Sequence, residues 1–583
     1  MLWNKKLIVT CGALLASQVS WANQAADAVA PEHSSGFEKK SLVKASDWMV
    51  TAANPIATQA GADILKQGGN AIDAMVTVQL MLGLVEPQSS GIGGGAFLVY
   101  WDAKNNQLTS YDGRETAPLN ATPKLFLDES GQPMKFYDAV VGGRSVATPG
   151  TVQLMWDTHQ KYGKLEWAKL IAPVIKVAEQ GFEISPRLAT LIDKDQQRLS
   201  RFAATKAYFF DDNGQPKQAG TLLKNPEYAA TLTAIAEQGA KAFYQGDIAQ
   251  NIIDTVKNAP GNPGVLAQVD FDSYQIKQRE PVCSPYQSYQ VCGMGPPSSG
   301  ALTVGQILAM TEQFDLRSWG ANSAKSWQVI ADASRLAFAD RGLYMADQDF
   351  VPMPTQGLLD TSYMKDRAKL ITPGKALESA PAGNPPWAHA MKLSQDESIE
   401  LPSTSHFNVV DQDGNVVSIT TTIENAFGSR LMVNGFLLNN ELTDFSFRTH
   451  SDGKPIANRL EPGKRPRSSM APTIMMQDGK PYMAIGSPGG SRIIGYVAQT
   501  IIAHTQWDMD IQQAANQPRL LNRFGELDVE QGTSAETLKP ELEKMGFDVN
   551  VRDLNSGIHA IRLTKDGLEG AADPRREGKA IGH

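Results

Sequence analysis

The chain has 583 residues, 42% hydrophobic and 20% charged, close to ordinary soluble globular usage, which excludes wholesale disorder, a collagen-like fibre and a multi-span membrane protein. At about 150 residues per domain this is roughly four domains' worth of chain, so core size is no constraint. Asp plus Glu (62) exceed Lys plus Arg (54) and the formal net charge is −8, so the basic footprint of a nucleic-acid binder is missing and small substrates are favoured as partners.

Residues 1–22 read as a secretory signal: Lys5 and Lys6, the short apolar run Leu7 to Leu15, then small Ser20 and Ala22 ahead of a cut before Asn23. No later run reaches about 18 apolar residues. The mature chain is therefore expected to be exported, periplasmic or secreted, with no membrane span. Removing Cys11 leaves Cys283 and Cys292 around a short hairpin. In an oxidising compartment they can bridge; the other reading is two buried thiols. The polar, Ala/Ser-rich stretch 23–45 is expected to be loose.

Asn54-Pro55 predicts a helix start, Gly68-Gly69-Asn70 its stop, and Ala71 to Leu84 a second helix. The run Gly91-Ile92-Gly93-Gly94-Gly95 does not suit dinucleotide binding, because a helix precedes it and the apolar strand Ala96 to Trp101 follows. Backbone crowding in a core explains it better. Helices are expected to dominate 150–255 and 301–346. Residues 373–402 are rich in Pro, Gly and polar residues and predict a loose tail or linker. Directly after it, at Thr404, an intensely β-like region begins.

Common metal, phosphate-loop and nucleophile-elbow motifs are absent, and the eight histidines lack ligand spacing. What remains lies between Thr404 and Ser491. His406 to Val410 and Val416 to Ile423 flank Asp411-Gln412-Asp413-Gly414-Asn415, a strong hairpin turn. A three-residue loop centred on Asp413 places Thr404 opposite Thr422; a two-residue Asp413-Gly414 loop shifts the partner by one position. Either way two threonine hydroxyls come close at the hairpin's open end, although threonine is also chosen there for β propensity alone. A second hairpin turns at Asp478-Gly479 and runs through Gly486 to Ser491 into a helix marked by Ile493, Ile494, Val497, Ile501 and Ile502. Glycines ahead of a helix expose N–H groups that suit an oxyanion, or simply make a tight turn.

Several ordered, polar, non-periodic stretches carry a resemblance. They are Gly93-Gly94-Gly95, Arg114-Glu115-Thr116-Ala117-Pro118, Pro296-Pro297-Ser298-Ser299-Gly300, Thr404-Ser405-His406, Thr421-Thr422-Ile423-Glu424, Leu437 to Phe445, Lys464 to Met470 and Gly486 to Arg492. Together they resemble the γ-glutamyltransferase (γ-glutamyltranspeptidase) family of N-terminal-nucleophile hydrolases. The resemblance implies an α+β fold, a four-layer αββα sandwich shared by two autoprocessed subunits. A precursor would cut itself between Ser403 and Thr404, giving a large subunit 23–403 and a small subunit 404–583 that stay together as a heterodimer. Thr404 would be the nucleophile, with Thr422 orienting it and the Gly489 and Gly490 N–H groups stabilising the oxyanion. Arg114, Ser468 and Ser469 would take the carboxylate of a γ-glutamyl donor, and Asp444, with Glu441 and Glu424, its ammonium. Acceptors would be water, amino acids or peptides. No cofactor and no metal are implied.

Two departures matter. Glu424 stands where well-known members of the family have Asn, and the connection from Asp444 to Ser468 is shorter than in members with a lid, which predicts a more open acceptor side. Two alternatives remain: an acylase acting on glutaryl β-lactam side chains or poly-γ-glutamate, and a non-catalytic binding protein on the same scaffold. A glutaryl group has no α-ammonium, so Asp444 favours the γ-glutamyl reading; intact Thr404, Thr422, Gly489 and Gly490 speak against the binding protein.

Overall fold

A computed structural model describes residues 34–389, 391–396, 398–400 and 403–583. The expected signal and its cut site lie outside the described residues. Among the described residues no helix is long and apolar enough to cross a membrane.

Two seven-stranded sheets stack face to face. The first runs, in spatial order, Lys579–Gly582, Met49–Ala52, Ser405–Val410, Val416–Thr422, Gly95–Asp102, Gln107–Gly113 and Lys277–Arg279. The second runs Val43–Ala45, Gly567–Ala572, His559–Thr564, Lys480–Gly486, Thr473–Gln477, Tyr289–Gly293 and Val282–Tyr286. Period-2 alternation sorts their side chains. Met49, Val99, Val410 and Val416 of the first sheet meet Ile474, Ala484, Ile561 and Leu568 of the second in an apolar seam. Phe407, Val409, Val417 and Ile419 point the other way, onto the helix Ala71–Val85, behind which Trp167–Gln180 and Pro226–Gln238 pack in turn. Met475, Met483 and Ile485 likewise meet Gly300–Thr311, Ala324–Tyr344 and Ile493–Gln506 on the far side. The result is the four-layer αββα sandwich.

The helix starts follow their local chemistry. The Asn54 side chain accepts from the Ile56 N–H with Pro55 in the first turn, and Asn70 and Asp73 form a reciprocal capping box. The glycine run is a crowding device. A Cβ on Gly93 would come within 2.1 Å of the Leu437 carbonyl oxygen, and one on Gly94 within 2.0 Å of that of Thr422. Cys283 and Cys292 face each other across the hairpin Val282–Tyr286/Tyr289–Gly293 and are joined by a disulfide.

Two stretches expected to be loose are held. Val43–Ala45 pairs antiparallel with Leu568–Gly570, and Ser35 and Glu38 donate backbone bonds to Arg575 and Pro574. The described residues of 373–400 have almost no regular structure, yet Gly383 donates to Asp340, and Asp396 and Glu400 are both buried. Irregular backbone is tied down here by side chains that its composition does not reveal.

Candidate active site

The strands Ser405–Val410 and Val416–Thr422 pair with Ser405 opposite Thr421 and Val410 opposite Val416. That register places Thr404 opposite Thr422, as the three-residue loop predicts. It also puts residues 404, 406, 408 and 410 and residues 416, 418, 420 and 422 in the seam between the sheets. His406 Nδ1 bonds Thr420 Oγ1, Asn408 donates to the His559 carbonyl and Ser418 to that of Ile485. Burial and the nearby His559 hold the His406 imidazole down at about 3, so it is neutral and structural. Thr404 and Thr422 occupy one end of the same row, and both are almost fully buried.

Both hydroxyls converge on the Ser403 carbonyl. Thr404 Oγ1 lies 2.5 Å from that oxygen and Thr422 Oγ1 2.9 Å, with 3.4 Å between the hydroxyls. Thr422 Oγ1 in turn accepts from the Glu424 N–H at 2.8 Å. That bond leaves the Thr422 proton directed at the carbonyl. Ser403 itself is held through its hydroxyl, which donates to the Gln88 carbonyl.

From the second sheet, Lys480–Gly486 leads into Gly489 (φ 139°) and Gly490 (φ 58°) and then the helix Ile493–Gln506. Both glycines sit in backbone space that disfavours a side chain. Among the described residues neither N–H has a hydrogen-bond acceptor, and Gly490 lines the cavity beside Thr404 and Thr422.

The same cavity is lined by Arg114, Glu400, Glu424, Glu441, Asp444, Ser468 and Ser469. Arg114, the residue after Gln107–Gly113, is 1% exposed. It donates to Glu441, to Asp444 Oδ2 at 2.6 Å and to the carbonyls of Pro466 and Arg467. Sequence reasoning had Arg114 and Asp444 grip opposite ends of a substrate; in the uncut chain they grip each other. Burial works against the Arg114 charge, but Glu441, Asp444 and Glu115 outweigh it and raise its affinity for the proton.

The carboxyls carry the converse effect. Burial pushes Glu115 up to about 7 despite Arg114. Burial raises Glu441 and Asp444 well above the usual carboxylate range; Arg114 opposes this, and neighbouring carboxylates reinforce it. Asp444 Oδ1 is a buried acceptor with no donor among the described residues. Glu424, at φ 75°, is anchored by the Asn440 side chain.

Three site residues were missed in the sequence. Glu400, only four positions before Thr404, accepts from Arg341, from Ser469 Oγ and, at 3.3 Å, from Arg467. Arg341 Nη2 also donates to Ser469 Oγ at 2.7 Å. Burial alone would raise Glu400, but the two arginines hold it down at about 2, so it is charged. A signal existed: Arg341 lies in a helix most of whose residues are buried, and a buried guanidinium demands a partner. With Glu400 in place the cavity encloses about 20 Å3, room for about one water molecule. No residue between 445 and 467 lines it. That connection carries only the small exposed hairpin His450–Ser451/Lys454–Pro455. Among the described residues no group of His, Cys, Asp or Glu is arranged to hold a metal ion.

This geometry agrees with what the chain is similar to. Residues 57–583 match the family described as gamma-glutamyltranspeptidase. A glutathione hydrolase proenzyme of Bacillus subtilis (strain 168) is 39% identical over 94% of this chain and 93% of its own length. One of Escherichia coli (strain K12) is 37% identical over 97% of both. Among solved structures, a cephalosporin acylase from Bacillus halodurans superposes with a TM-score of 0.81 at 25% identity, covering 94% of this chain and 97% of that one. With the fold, the paired threonines and a match over nine-tenths of its length in agreement, the chain belongs to the gamma-glutamyltranspeptidase family.

Proposed function

We propose that the chain is an exported γ-glutamyltransferase and glutathione hydrolase, activated by its own cleavage between Ser403 and Thr404 into subunits 23–403 and 404–583. The observation that carries this is the convergence of two threonine hydroxyls on one peptide carbonyl beside an acid-lined pocket. In self-cleavage Thr404 Oγ bonds to the Ser403 carbonyl carbon while Thr422 donates to its oxygen. The C–N bond then breaks, the Thr404 nitrogen takes the proton, and water hydrolyses the resulting ester to leave a Ser403 carboxylate.

The cut creates the catalyst's base. A threonine hydroxyl is a poor nucleophile, and the Thr404 nitrogen in the precursor is an amide that cannot accept a proton. Freed, it becomes an α-amine with a reference pKa of about 7.7–8.0, partly neutral near pH 7–8. It takes the Oγ proton as Oγ attacks the γ-amide carbonyl of a donor such as glutathione. Gly489 and Gly490 N–H groups stabilise the oxyanion, and the amine returns the proton to the leaving group. The γ-glutamyl-Thr404 ester then passes to water or to an amino acid or peptide amine.

Substrate class follows from charge. The donor's α-ammonium meets Asp444, whose Oδ1 is an unmet buried acceptor, with Glu441 and Glu424 beside it. Its α-carboxylate meets Arg114, Ser468 and Ser469. The structural likeness to a cephalosporin acylase keeps a glutaryl donor as the competing reading, but a glutaryl group would leave Asp444 Oδ1 unsatisfied.

Asp444→Asn decides between them. Replacing one charge-assisted partner by a neutral one is expected to cost about 1.5–3 kcal/mol, roughly ten- to over a hundredfold in kcat/KM for a γ-glutamyl anilide. The glutaryl anilide should be unchanged or improved. Steady-state kinetics on the fully processed variant measures the ratio. A wild type that prefers the glutaryl donor, or an equal loss on both, transfers the assignment to the acylase.

A further inference from the structure

The scissile peptide has two faces, and the threonine hydroxyls occupy only one. Thr404 and Thr422 reach the Ser403 carbonyl from the seam between the sheets. Strand alternation turns Ser403 and Ser405 the opposite way, with Phe407 and Val409, toward the helix Ala71–Val85. The turn from Glu86 to Ser90, which ends this helix, lies against that second face. Ser403 donates to the Gln88 carbonyl at 2.8 Å and Ser405 to Glu86 Oε2 at 3.1 Å. One turn therefore grips the residues on both sides of Thr404.

Glu86 is 1% exposed, yet only one of its oxygens is partnered: among the described residues Oε1 has no donor. In the same turn the Gln88 amide and the Ser89 and Ser90 hydroxyls are buried and also lack partners there. Unpaired buried polar atoms are unfavourable, and a run of them suits water, which needs about two to four such partners. Burial pushes Glu86 up to about 7; Glu577 adds to the effect, while Arg187, Arg576 and the Ser405 bond oppose it. Those charged groups face it from two elements. Arg187 stands in the first turn of the helix Pro186–Leu199, and Arg576 and Glu577 precede the strand Lys579–Gly582. A group balanced near neutrality can both take up a proton and release it.

Self-cleavage has a step that calls for such a group. The shift from nitrogen to oxygen uses residues on the seam face, but the ester it leaves must then be hydrolysed, and Thr404 Oγ occupies that face. We infer that Glu86 is the base for the hydrolytic step of maturation, holding the attacking water against the ester from the side of the Glu86 to Ser90 turn. This rests on the self-cleavage reading above and adds a residue to it. The water oxygen bonds to the Ser403 carbonyl carbon as one water proton passes to Glu86. The C–Oγ bond breaks, and Oγ takes a proton from the adjacent Thr404 α-ammonium, which leaves that amine neutral. Ser403 is left as a carboxylic acid that, like Glu86, gives its proton to solvent.

The test follows newly synthesised precursor on a denaturing gel, with and without hydroxylamine at neutral pH. Hydroxylamine attacks esters without help from a base. It would leave the large fragment as a Ser403 hydroxamate, heavier than the acid by one NH. In Glu86→Gln the water-driven cut should slow about 10²–10⁴-fold, the usual contribution of a positioned base. Hydroxylamine should restore it, with Thr404 at the new N-terminus and the hydroxamate on Ser403. Glu86→Asp keeps a carboxyl set back by one methylene and should cut at an intermediate rate. Wild-type cutting by Glu86→Gln overturns the proposal. So does a folded Glu86→Gln precursor that hydroxylamine leaves uncut, because the block then precedes the ester. If circular dichroism shows Glu86→Gln unfolded, Glu86→Asp decides alone: slow cutting that hydroxylamine accelerates supports the base, and any other outcome, unfolding included, overturns it. A wild-type precursor that is never cut, or is cut elsewhere than before Thr404, would instead remove the self-cleavage reading itself.

Discussion

Thr404→Ala is expected to leave a single uncut polypeptide with no γ-glutamyl activity. One substitution removes the attacking oxygen and, by preventing the cut, the α-amine that would serve as base. The seam-facing position tolerates alanine, because the strand register is set by pairing of Ser405 to Val410 on one side and of Phe407 to Val410 on the other. The protein should therefore remain folded, which circular dichroism checks beside a denaturing gel. In the wild type, N-terminal sequencing of the smaller fragment should begin Thr404-Ser405-His406; any other start sinks the assignment of the cut. Thr404→Ser should process slowly rather than not at all. It keeps Oγ but loses the β-branch that restricts the side chain to few rotamers.

Thr422→Val separates maturation from folding more cleanly. Valine matches threonine in shape and β propensity, so the strand Val416–Thr422 is retained, but the donor to the Ser403 carbonyl at 2.9 Å disappears. Loss of one donor to a developing oxyanion typically costs about 10²–10³ in rate. The time course of precursor disappearance should lengthen by that order. The Glu424 N–H would also lose its acceptor, loosening the acidic wall, so the fragment that does form should bind donors less well. Self-cleavage at the wild-type rate would show that Thr422 does not polarise the scissile carbonyl.

Local chemistry made part of this architecture legible. The turn Asp411 to Asn415 and the alternation on either side brought Thr404 and Thr422 together at the hairpin's open end, with their exact opposition open by one position until the register was seen. Asp478 and Gly479 both take positive φ at the second hairpin's turn, as that dipeptide favours. The crowded glycines 93 to 95 were readable because a strand followed them. What was not legible depends on pairings across hundreds of residues. Arg114 and Asp444 meet over 330 positions, and no periodicity encodes that. Glu400 and Asp396 sit in a stretch whose Pro, Gly and Ser content describes its backbone correctly as irregular. Composition is silent on whether two carboxylates in it find buried arginines. Val43–Ala45 is a three-residue edge strand, too short to show alternation.

The interleaving of the sheets would set the lifetime of a protein cut at Ser403. In the first sheet Met49–Ala52 lies between Lys579–Gly582 and Ser405–Val410, so strands before and after the cut alternate; in the second, strands from both sides of the cut share ladders at two places. Neither piece has a complete sheet of its own. A chain severed at Ser403 would hold together without the tether that guided its assembly. Once melted, its halves would have to find each other by diffusion, a search the intact precursor never faces. Heat inactivation of the processed form should therefore be governed by an unfolding rate rather than an equilibrium, with recovery dependent on dilution, whereas uncut Thr404→Ala would refold as one chain. Self-cleavage would be a step the molecule takes once, in an order that cannot be repeated from the parts.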